Sequence, residues 1–440
     1  MLQKESTTST KEAEIWTDRG DEFARSGDHA KAVECYSKAI EYNPRQSFYY
    51  FKRGNSYLSL GSANNALQDF NGAIALNPGF SFAYFKRGGL YLDARQFGAA
   101  IDDFSRSIEL NPDLSFAYFK RGLCKFKTKE LQSAIADFTK AIELNPLHSQ
   151  AFFYRANILY EWKQLEEAID DFSRSIEIDA TSEKAFISRG IAYGNLGHFR
   201  NAVEDYTRAI ELAPNNAIAY NYRGLVYNNI REYAKAIADF SRALEIKPDS
   251  ADSYNNMGIA HFSLKQYKDA AQDYTRAIEL QPNSALLYFN RGNAYYHAKM
   301  YLESILDFNN ALTLNADMPN AYFGRANANF NLGAVKDAIK DYSRAITCNP
   351  RLYQAYIGRG NAFMKLKHYK KAQQDYTLAI EIKPENAQAL LNRGIAFRAD
   401  GKTEEAARDF NDFLRLNPQA GAISHRIRSW LKQSNLPVHY

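Results

Sequence analysis

Apolar and polar residues follow each other along this chain in a pattern that returns every 34 residues. Residues 81–114 and residues 115–148 both begin with SFAYFKRG, and the small, aromatic and proline residues that follow stand at the same offsets. Twelve such repeats fit end to end between Ala13 and Ala420, without insertion or deletion. A fixed period of this length indicates an array of similar structural units, each contacting its neighbours.

The pattern within one repeat, whose places we number 1 to 34, predicts two helices. Places 1–14 carry apolar residues at helical spacing, as at Phe82, Phe85 and Leu92. Place 15 is glycine or a basic residue, and glycine there suits a left-handed helix end. The second helix of this repeat should run to about Leu110 and end before Pro112, because proline cannot continue a helix. The chain is therefore predicted to be all-α.

Small, aromatic and charged residues recur at fixed places. Place 8 is glycine in ten repeats, place 20 is alanine in eleven, and place 24 is phenylalanine or tyrosine in all twelve. Small residues allow the two helices to approach closely, and the aromatic rings fill the space between one repeat and the next. Ten repeats also combine arginine at place 7 with aspartate at place 23, from Arg53 and Asp69 to Arg393 and Asp409. We expect these residues to form bidentate ion pairs with a structural role.

The spaced pattern of aromatic, Gly, aromatic, Ala, aromatic, Ala and Pro in a 34-residue unit resembles the tetratricopeptide repeat (TPR). The resemblance covers residues 13–420 and implies one right-handed superhelical solenoid of twelve helix–turn–helix repeats. Residues 1–12 are polar and are expected to form a disordered tail. Residues 421–440 are expected to form a capping helix and tail, with an apolar stripe of Ile423, Ile427, Trp430 and Leu431.

The resemblance also implies where a partner would bind. In the family, places 2, 5, 6, 9, 12 and 13 of the first helix face a concave groove. One candidate set combines aromatic and basic residues in repeats 2–4: Phe48, Phe51, Lys52, Phe82, Phe85, Lys86, Phe116, Phe119 and Lys120. The other set is a row of asparagines in repeats 9–12: Asn290, Asn293, Asn327, Asn361 and Asn392. The alternatives are that the phenylalanines pack between neighbouring first helices and that the asparagines only solvate this face.

Motifs that carry chemistry are absent from the sequence. The eight histidines form no HExxH motif or other metal-ligand spacing, and the three cysteines form no CxxC pair. Gly401-Lys402-Thr403 resembles the end of a phosphate-binding loop, but Ala396 stands where that loop requires glycine. We therefore expect no enzyme activity, no cofactor and no metal ion.

The sequence favours a non-enzymatic scaffold that binds extended segments of one or more partner proteins in its concave groove. A substrate-recruiting or regulatory subunit of an enzyme complex, similar to a glycosyltransferase or a chaperone adaptor, is the alternative. Nucleic-acid binding is disfavoured because 55 Lys and Arg residues nearly balance 50 Asp and Glu residues, for a formal charge of +5. Without a long apolar run or signal sequence, we expect a cytoplasmic protein that does not insert into membranes. The oligomeric state stays open.

Overall fold

The computed structural model describes residues 2–417, 421–434 and 436–437, with side chains from residue 9 onward. The described residues form 25 α-helices and no β-strand. The chain divides into two compact units, Met1–Pro214 and Asn215–Tyr440, which are described separately. This confirms the predicted all-α fold of helix–turn–helix repeats.

Unit 1 contains repeats 1–6. Its helices are α1 (Leu2–Arg25), α2 (His29–Tyr42), α3 (Ser47–Ser59), α4 (Ala63–Leu76), α5 (Ser81–Asp93), α6 (Phe97–Leu110), α7 (Ser115–Lys127), α8 (Leu131–Leu144), α9 (Ser149–Glu161), α10 (Leu165–Ile178), α11 (Glu183–Asn195) and α12 (Phe199–Leu212).

Unit 2 contains repeats 7–12 and a last helix. Its helices are α13 (Ala217–Asn229), α14 (Tyr233–Ile246), α15 (Ala251–Ser263), α16 (Tyr267–Leu280), α17 (Ala285–His297), α18 (Tyr301–Leu314), α19 (Pro319–Asn331), α20 (Val335–Cys348), α21 (Tyr353–Lys365), α22 (Tyr369–Ile382), α23 (Ala387–Ala399), α24 (Thr403–Leu416) and α25 (Gly421–Gln433).

Helices follow one packing scheme within each unit. Up to α24, the odd-numbered helix is the first helix of its repeat and the even-numbered helix is the second. Each first helix packs against the second helix of its own repeat, and each second helix packs against the first helix of the next repeat in the unit. Every contact of this kind is local in sequence, as expected of a repeat protein.

The turn between the two helices has the same backbone geometry in every repeat. Place 15 has a positive φ throughout, between 72° and 85° at Gly27, Gly61, Gly197, Gly333 and Gly401. Basic residues at the same place, such as Arg95 and Lys129, have φ values between 57° and 66°. This left-handed conformation ends the first helix, as predicted.

Glycine at place 8 is explained by the aromatic ring at place 24. A Cβ atom built on Gly224 would lie 2.8 Å from Phe240 Cε1, and one on Gly190 would lie 2.7 Å from Tyr206 Cε1. Phe240 and Tyr206 are buried, and their rings fill the space that the missing side chain leaves. The predicted close approach of the two helices is confirmed.

Ten arginine–aspartate pairs have the bidentate geometry predicted from places 7 and 23. In repeat 6, Arg189 donates from Nε to Asp205 Oδ2 at 2.9 Å and from Nη2 to Oδ1 at 2.7 Å. The same two bonds, 2.6 to 3.0 Å long, form from Arg53, Arg87, Arg121, Arg155, Arg223, Arg291, Arg325, Arg359 and Arg393.

In nine of these pairs the remaining guanidinium nitrogen of the arginine reaches the preceding repeat of the same unit. Arg189 Nη1 donates to Ser173 Oγ on α10 at 2.9 Å, and Arg53 Nη1 donates to Ser37 Oγ on α2 at 3.0 Å. Place 25, which holds these acceptors, is Ser, Thr or Asn in the repeats concerned. These nine arginines therefore join neighbouring repeats within a unit, a role of place 25 that we did not predict from the sequence.

The two ends of the chain differ from the expectation in detail. Helix α1 begins at Leu2, although residues 1–12 were expected to be disordered. No glycine or proline interrupts residues 2–19, and Ser9 Oγ donates to the Tyr42 carbonyl at 2.6 Å. The expected end of the repeats, at residues 418–420, lies outside the described residues, as do residues 435 and 438–440 of the expected tail.

Helix α25 packs against the last repeat. Ile427 and Leu431 are buried with Phe413 and Leu414 of α24, and Trp430 meets the Phe410 ring edge to face at 5.3 Å. Ile423, which was assigned to the same apolar stripe, lies outside this contact and is largely exposed. The buried face of α25 is therefore narrower than the sequence indicates, and a capping role stays a prediction.

Candidate functional site

Three phenylalanines lie exposed at place 2 on consecutive first helices of unit 1. Phe48, Phe82 and Phe116, which we name the phenylalanine row, lie on α3, α5 and α7 and are 45–51% exposed. Place 2 is the second residue of each first helix, so the repeat presents all three side chains from equivalent positions. Single exposed apolar residues are common on protein surfaces and need no explanation, whereas a set repeated on three neighbouring first helices does.

Residues in the loop before the next repeat support this row. The ring centroid of Phe48 lies 6.3 Å from that of Phe80, and the centroid of Phe116 lies 5.1 Å from that of His148. Burial lowers the pKa of His148, so the neutral imidazole is favoured and contributes an apolar surface. Two of the three rings, Phe48 and Phe116, are therefore backed by a side chain from the following loop, and part of each ring stays exposed.

The phenylalanines at place 5 contribute more to packing than to the exposed surface. Phe51 and Phe85 are half-buried, with their ring centroids 5.9 and 5.8 Å from Phe70 and Phe104 at place 24. Phe119 is only 3% exposed and is surrounded by Phe138, His148 and Tyr154. The proposal that some of these phenylalanines pack between helices therefore describes Phe119, whose ring is withdrawn from the surface.

The three lysines at place 6 do not form a row of equivalent cations. Lys52 forms an ion pair with Asp21 of repeat 1, and its ammonium lies 4.8 Å from the Phe48 ring centroid. Asp21 also accepts a hydrogen bond of 2.6 Å from Tyr36. Lys86 makes no ion pair with any described residue, and Lys120 Nζ lies 6.0 Å from the Phe119 centroid. The charge available to a partner thus lies on Lys86 and Lys120.

Most of the asparagine set is bonded within the protein. Tyrosine hydroxyls at place 24 donate to Asn327 Oδ1 and Asn361 Oδ1, each at 2.7 Å. Asn392 Nδ2 donates to Asn361 Oδ1 at 3.0 Å, and Asn290 Nδ2 donates to Asn255 Oδ1 at 3.1 Å. The tyrosine bonds connect the two helices of one repeat, and the asparagine–asparagine bonds connect first helices of neighbouring repeats. Both kinds occupy groups that a peptide backbone would need.

Asn293 differs from the other asparagines at place 9. The aromatic residue at place 24 of its repeat is Phe308, which has no hydroxyl to donate. Leu286, at place 2 of the same helix α17, is largely exposed, as is Ile218 at place 2 of α13. These two apolar residues were missed in the sequence analysis, although their position at place 2 could have identified them.

Two further properties of the described residues concern metal ions and membranes. Among residues 2–417, 421–434 and 436–437, no group of three His, Cys, Asp or Glu side chains could hold a metal ion. No helix in the described part of the chain combines the length and apolar character needed to cross a membrane.

Comparisons with known proteins agree with the repeat architecture. One family model described as tetratricopeptide repeat matches residues 85–142, 126–183, 187–251 and 301–352, and a second matches residues 251–284 and 353–386. Further models described as tetratricopeptide repeat or TPR repeat match residues 20–61, 49–80, 273–305 and 388–420. Nearly every residue between 20 and 420 is matched. No curated protein sequence matches the chain significantly.

Several solved structures contain similar repeats. The crystal structure of yeast Tom70 is 18% identical, with 97% of this chain and 96% of that chain covered and a TM-score of 0.39. The crystal structure of the APC/C hetero-tetramer Cut9–Hcn1 is 14% identical, with 95% of each chain covered and a TM-score of 0.45. YrrB, described as a TPR protein with an unusual peptide-binding site, is 22% identical over 44% of this chain and 97% of its own, with a TM-score of 0.37.

Proposed function

Because this chain belongs to the tetratricopeptide repeat family, whose fold supports protein-interaction scaffolds, we propose that it binds an extended segment of a partner protein along the phenylalanine row. The observation that carries this proposal is the exposure of Phe48, Phe82 and Phe116 at one place of three consecutive repeats. Large aromatic anchors in partly formed pockets supply most of the binding energy in protein interfaces.

The partner segment should combine apolar side chains with acidic ones. Its apolar side chains would contact the phenylalanine row, with Phe51 and Phe85 as the half-buried floor beside it. Its acidic side chains would face Lys86 and Lys120, since Lys52 is already paired with Asp21. Exposed charges of this kind act mainly on the association rate and on the choice of partner.

A triple variant tests the proposal directly. Phe48→Ala, Phe82→Ala and Phe116→Ala together should weaken binding of a partner isolated with the intact protein by about 2–4 kcal/mol. The helical circular dichroism signal should not change, because these rings are half exposed. The matched control is Leu302→Ala with Leu306→Ala, which removes two exposed apolar side chains from the second helix α18 of repeat 9.

Each outcome is informative. Loss of binding in the triple variant but not in the α18 control supports the phenylalanine row as the site. Unchanged affinity in a folded triple variant overturns the proposed site. The test then moves to Leu286 and Asn293 on α17, which combine an exposed apolar side chain with an amide that receives no tyrosine bond.

A further inference from the structure

A cleft lined by basic and apolar side chains lies among the last two repeats of unit 2. Its volume is about 610 Å³, and its lining comes from helix α22, helix α23 and the turn that follows α23. The lining residues are Lys370, Gln373, Gln374, Thr377, Leu378, Phe397 and Lys402. A second depression shares Lys370 and adds Lys367 and Lys371 at its rim. We call the two together the basic cleft.

Positive charge is concentrated around this cleft. Residues 335–402 contain thirteen Lys and Arg against six Asp and Glu, which gives a formal charge of +7. The whole chain carries +5, so the remaining residues together carry a formal charge of −2. The near balance of the total composition, on which nucleic-acid binding was disfavoured, therefore conceals a basic region.

The acidic group in the cleft lining is already compensated. Asp400 Oδ2 accepts a hydrogen bond from Gln373 Nε2 at 3.1 Å and lies 3.5 Å from Lys402 Nζ. These two contacts, with the nearby charge of Lys370, lower the pKa of Asp400. Gln373 is buried, and its Oε1 accepts a hydrogen bond from Lys402 at 3.2 Å. One wall of the cleft is thus held in place by bonds that neutralise its carboxylate.

The cations at the rim remain available. Lys367, Lys370 and Lys371 are exposed, and none forms an ion pair with a described residue. An anionic partner at this position would gain attraction from three ammonium groups without displacing an existing ion pair.

An apolar surface replaces a paired charge inside the cleft. At place 26, repeats 3 to 8 carry Arg or Lys in an ion pair with Glu at place 29, as in Arg276–Glu279. Repeat 11 has Leu378 at this place, 40% exposed, and it lines the cleft together with Phe397. The cleft therefore offers an apolar contact between its lysines, which a site for a simple anion would not require.

We propose that the basic cleft binds an acidic peptide segment of a partner protein, with one apolar side chain inserted against Leu378. A protein segment fits better than a nucleic acid, because Phe397 is not free for base stacking. Lys402 Nζ lies 5.5 Å and Arg393 Cζ lies 5.9 Å from its ring centroid. This site lies on α22, α23 and the turn after α23 in unit 2, so it shares no residue with the phenylalanine row of unit 1 and does not depend on it.

The test uses the full chain and a defined probe. The probe is a fluorescein-labelled peptide of about a dozen residues in which single leucines separate pairs of glutamates, and binding is measured by fluorescence anisotropy. Lys370→Glu with Lys371→Glu should weaken binding at least about tenfold, because two attractions become repulsions. The matched control is Lys265→Glu with Lys268→Glu, which makes the same charge change at a corresponding depression of repeat 8. It should change affinity less than about twofold.

A third variant separates the apolar contact from the charge. Leu378→Arg adds a cation but removes the apolar wall, so the proposal requires weaker binding, by about fivefold. Stronger binding in Leu378→Arg would show that charge alone attracts the probe and would overturn the apolar contact. Equal losses in the repeat 8 and repeat 11 variants would overturn the location.

Two further probes decide the class of partner. A single-stranded RNA of similar length and vesicles rich in phosphatidylserine should bind more weakly than the peptide at the same ionic strength. Tighter binding of either probe would overturn the assignment to an acidic protein segment, as would failure of the intact protein to bind the peptide. The triple variant of the phenylalanine row should bind the peptide normally, so the two proposals can fail independently.

Discussion

His261 and Asp273 make a contact in repeat 8 that replaces the arginine–aspartate pair of other repeats. His261 Nδ1 lies 2.6 Å from Asp273 Oδ2, and both side chains are mostly buried. Met257 occupies place 7, where eleven repeats have arginine, and its sulfur accepts from Ser241 Oγ at 3.6 Å. A titratable side chain therefore holds the buried aspartate of this repeat.

This contact predicts that repeat 8 loses stability as the pH rises. The hydrogen bond to Asp273 and the charges of Asp273 and Asp269 raise the pKa of His261 above its ordinary value of 6.5. Because the pKa of His261 is higher in the folded than in the unfolded protein, protonation of His261 stabilises the fold. This stabilisation is complete below the unfolded pKa and disappears as the pH rises past the folded pKa. Burial also raises the pKa of Asp273, so this carboxyl group likewise lowers the stability of the repeat as the pH rises through the acidic range. Hydrogen exchange of α15 and α16, corrected for intrinsic rates, should therefore increase from pH 6 to alkaline pH.

His261→Gln is the control for that measurement. It removes the titrating group, so the exchange of α15 and α16 should lose its dependence on pH near neutrality. An unchanged pH profile in this variant would show that another group is responsible.

The arginine–aspartate pairs should contribute strongly to stability. Burial raises the pKa of Asp205, and the bonds from Arg189 oppose that rise. Arg189→Leu should destabilise the protein by roughly 3–5 kcal/mol, because it leaves a buried carboxylate without its partner. Combining it with Asp205→Leu should restore much of the loss. Urea unfolding measures both effects.

Arg200→Leu provides a comparison within the same repeat. Arg200 pairs with Glu204 on the exposed surface of α12, and such pairs contribute about 0–1 kcal/mol. Similar losses in Arg189→Leu and Arg200→Leu would contradict a special role for the buried pair.

Helix α25 should protect the last repeat through a few buried side chains. Leu431 is fully buried against α24, so Leu431→Ala should destabilise the end of unit 2 by about 2–4 kcal/mol. Ile423 is exposed, so Ile423→Ala should cost less than about 0.5 kcal/mol. Hydrogen exchange in Leu431→Ala should increase in α24 and α25 but not in α13 and α14. Uniform loss of protection across unit 2 would argue against a local cap.

Turn residues at place 15 offer a stabilising substitution. Arg95 has a φ of 57°, a conformation that costs a residue with a side chain roughly 1–2 kcal/mol. Arg95→Gly relieves this strain but also increases the entropy of the unfolded chain. The net result should be a rise of about 0.5–1 kcal/mol in the free energy of unfolding. Gly197→Ala should have the opposite effect at the same place of repeat 6, where φ is 77°. Thermal unfolding of both variants checks the sign.

The fold could be predicted from the sequence because its causes recur every 34 residues. The contact of Gly224 with Phe240 and the bonds of Arg189 with Asp205 are repeated along the chain, so each adds to the same signal. The start of α1 at Leu2 could not be predicted in this way, because residues 1–12 lie outside the period. The same is true of Ile423, which lies after the last repeat and faces away from the buried contact.

The candidate site was less accessible to prediction because it depends on differences between repeats. Phe51 and Phe119 share place 5, yet only Phe119 is buried, because His148 and Tyr154 cover it. The Tyr376 hydroxyl donates to Asn361 Oδ1 and so occupies an acceptor that a ligand would need. Repeats with phenylalanine at place 24 have no hydroxyl at this position. The basic cleft likewise depends on Leu378, the one leucine at place 26 of the twelve repeats. Whether each of these side chains is available to a ligand depends on its partners from neighbouring helices. Spacing along the sequence does not specify those partners.

The bond from each arginine to the preceding repeat has a consequence for how such a gene can change length. Arg87 Nη1 donates to Asn71 Oδ1, and Arg121 Nη1 donates to Ser105 Oγ, from equivalent places one repeat apart. Removing residues 81–114 as one segment would bring Arg121 to the position of Arg87, with Asn71 as its acceptor. A repeat with arginine at place 7 therefore carries a donor for the repeat before it, and its place 25 carries an acceptor for the repeat after it. Duplication or loss of such a 34-residue segment can thus keep these bonds, whereas a change of any other length would separate donor from acceptor.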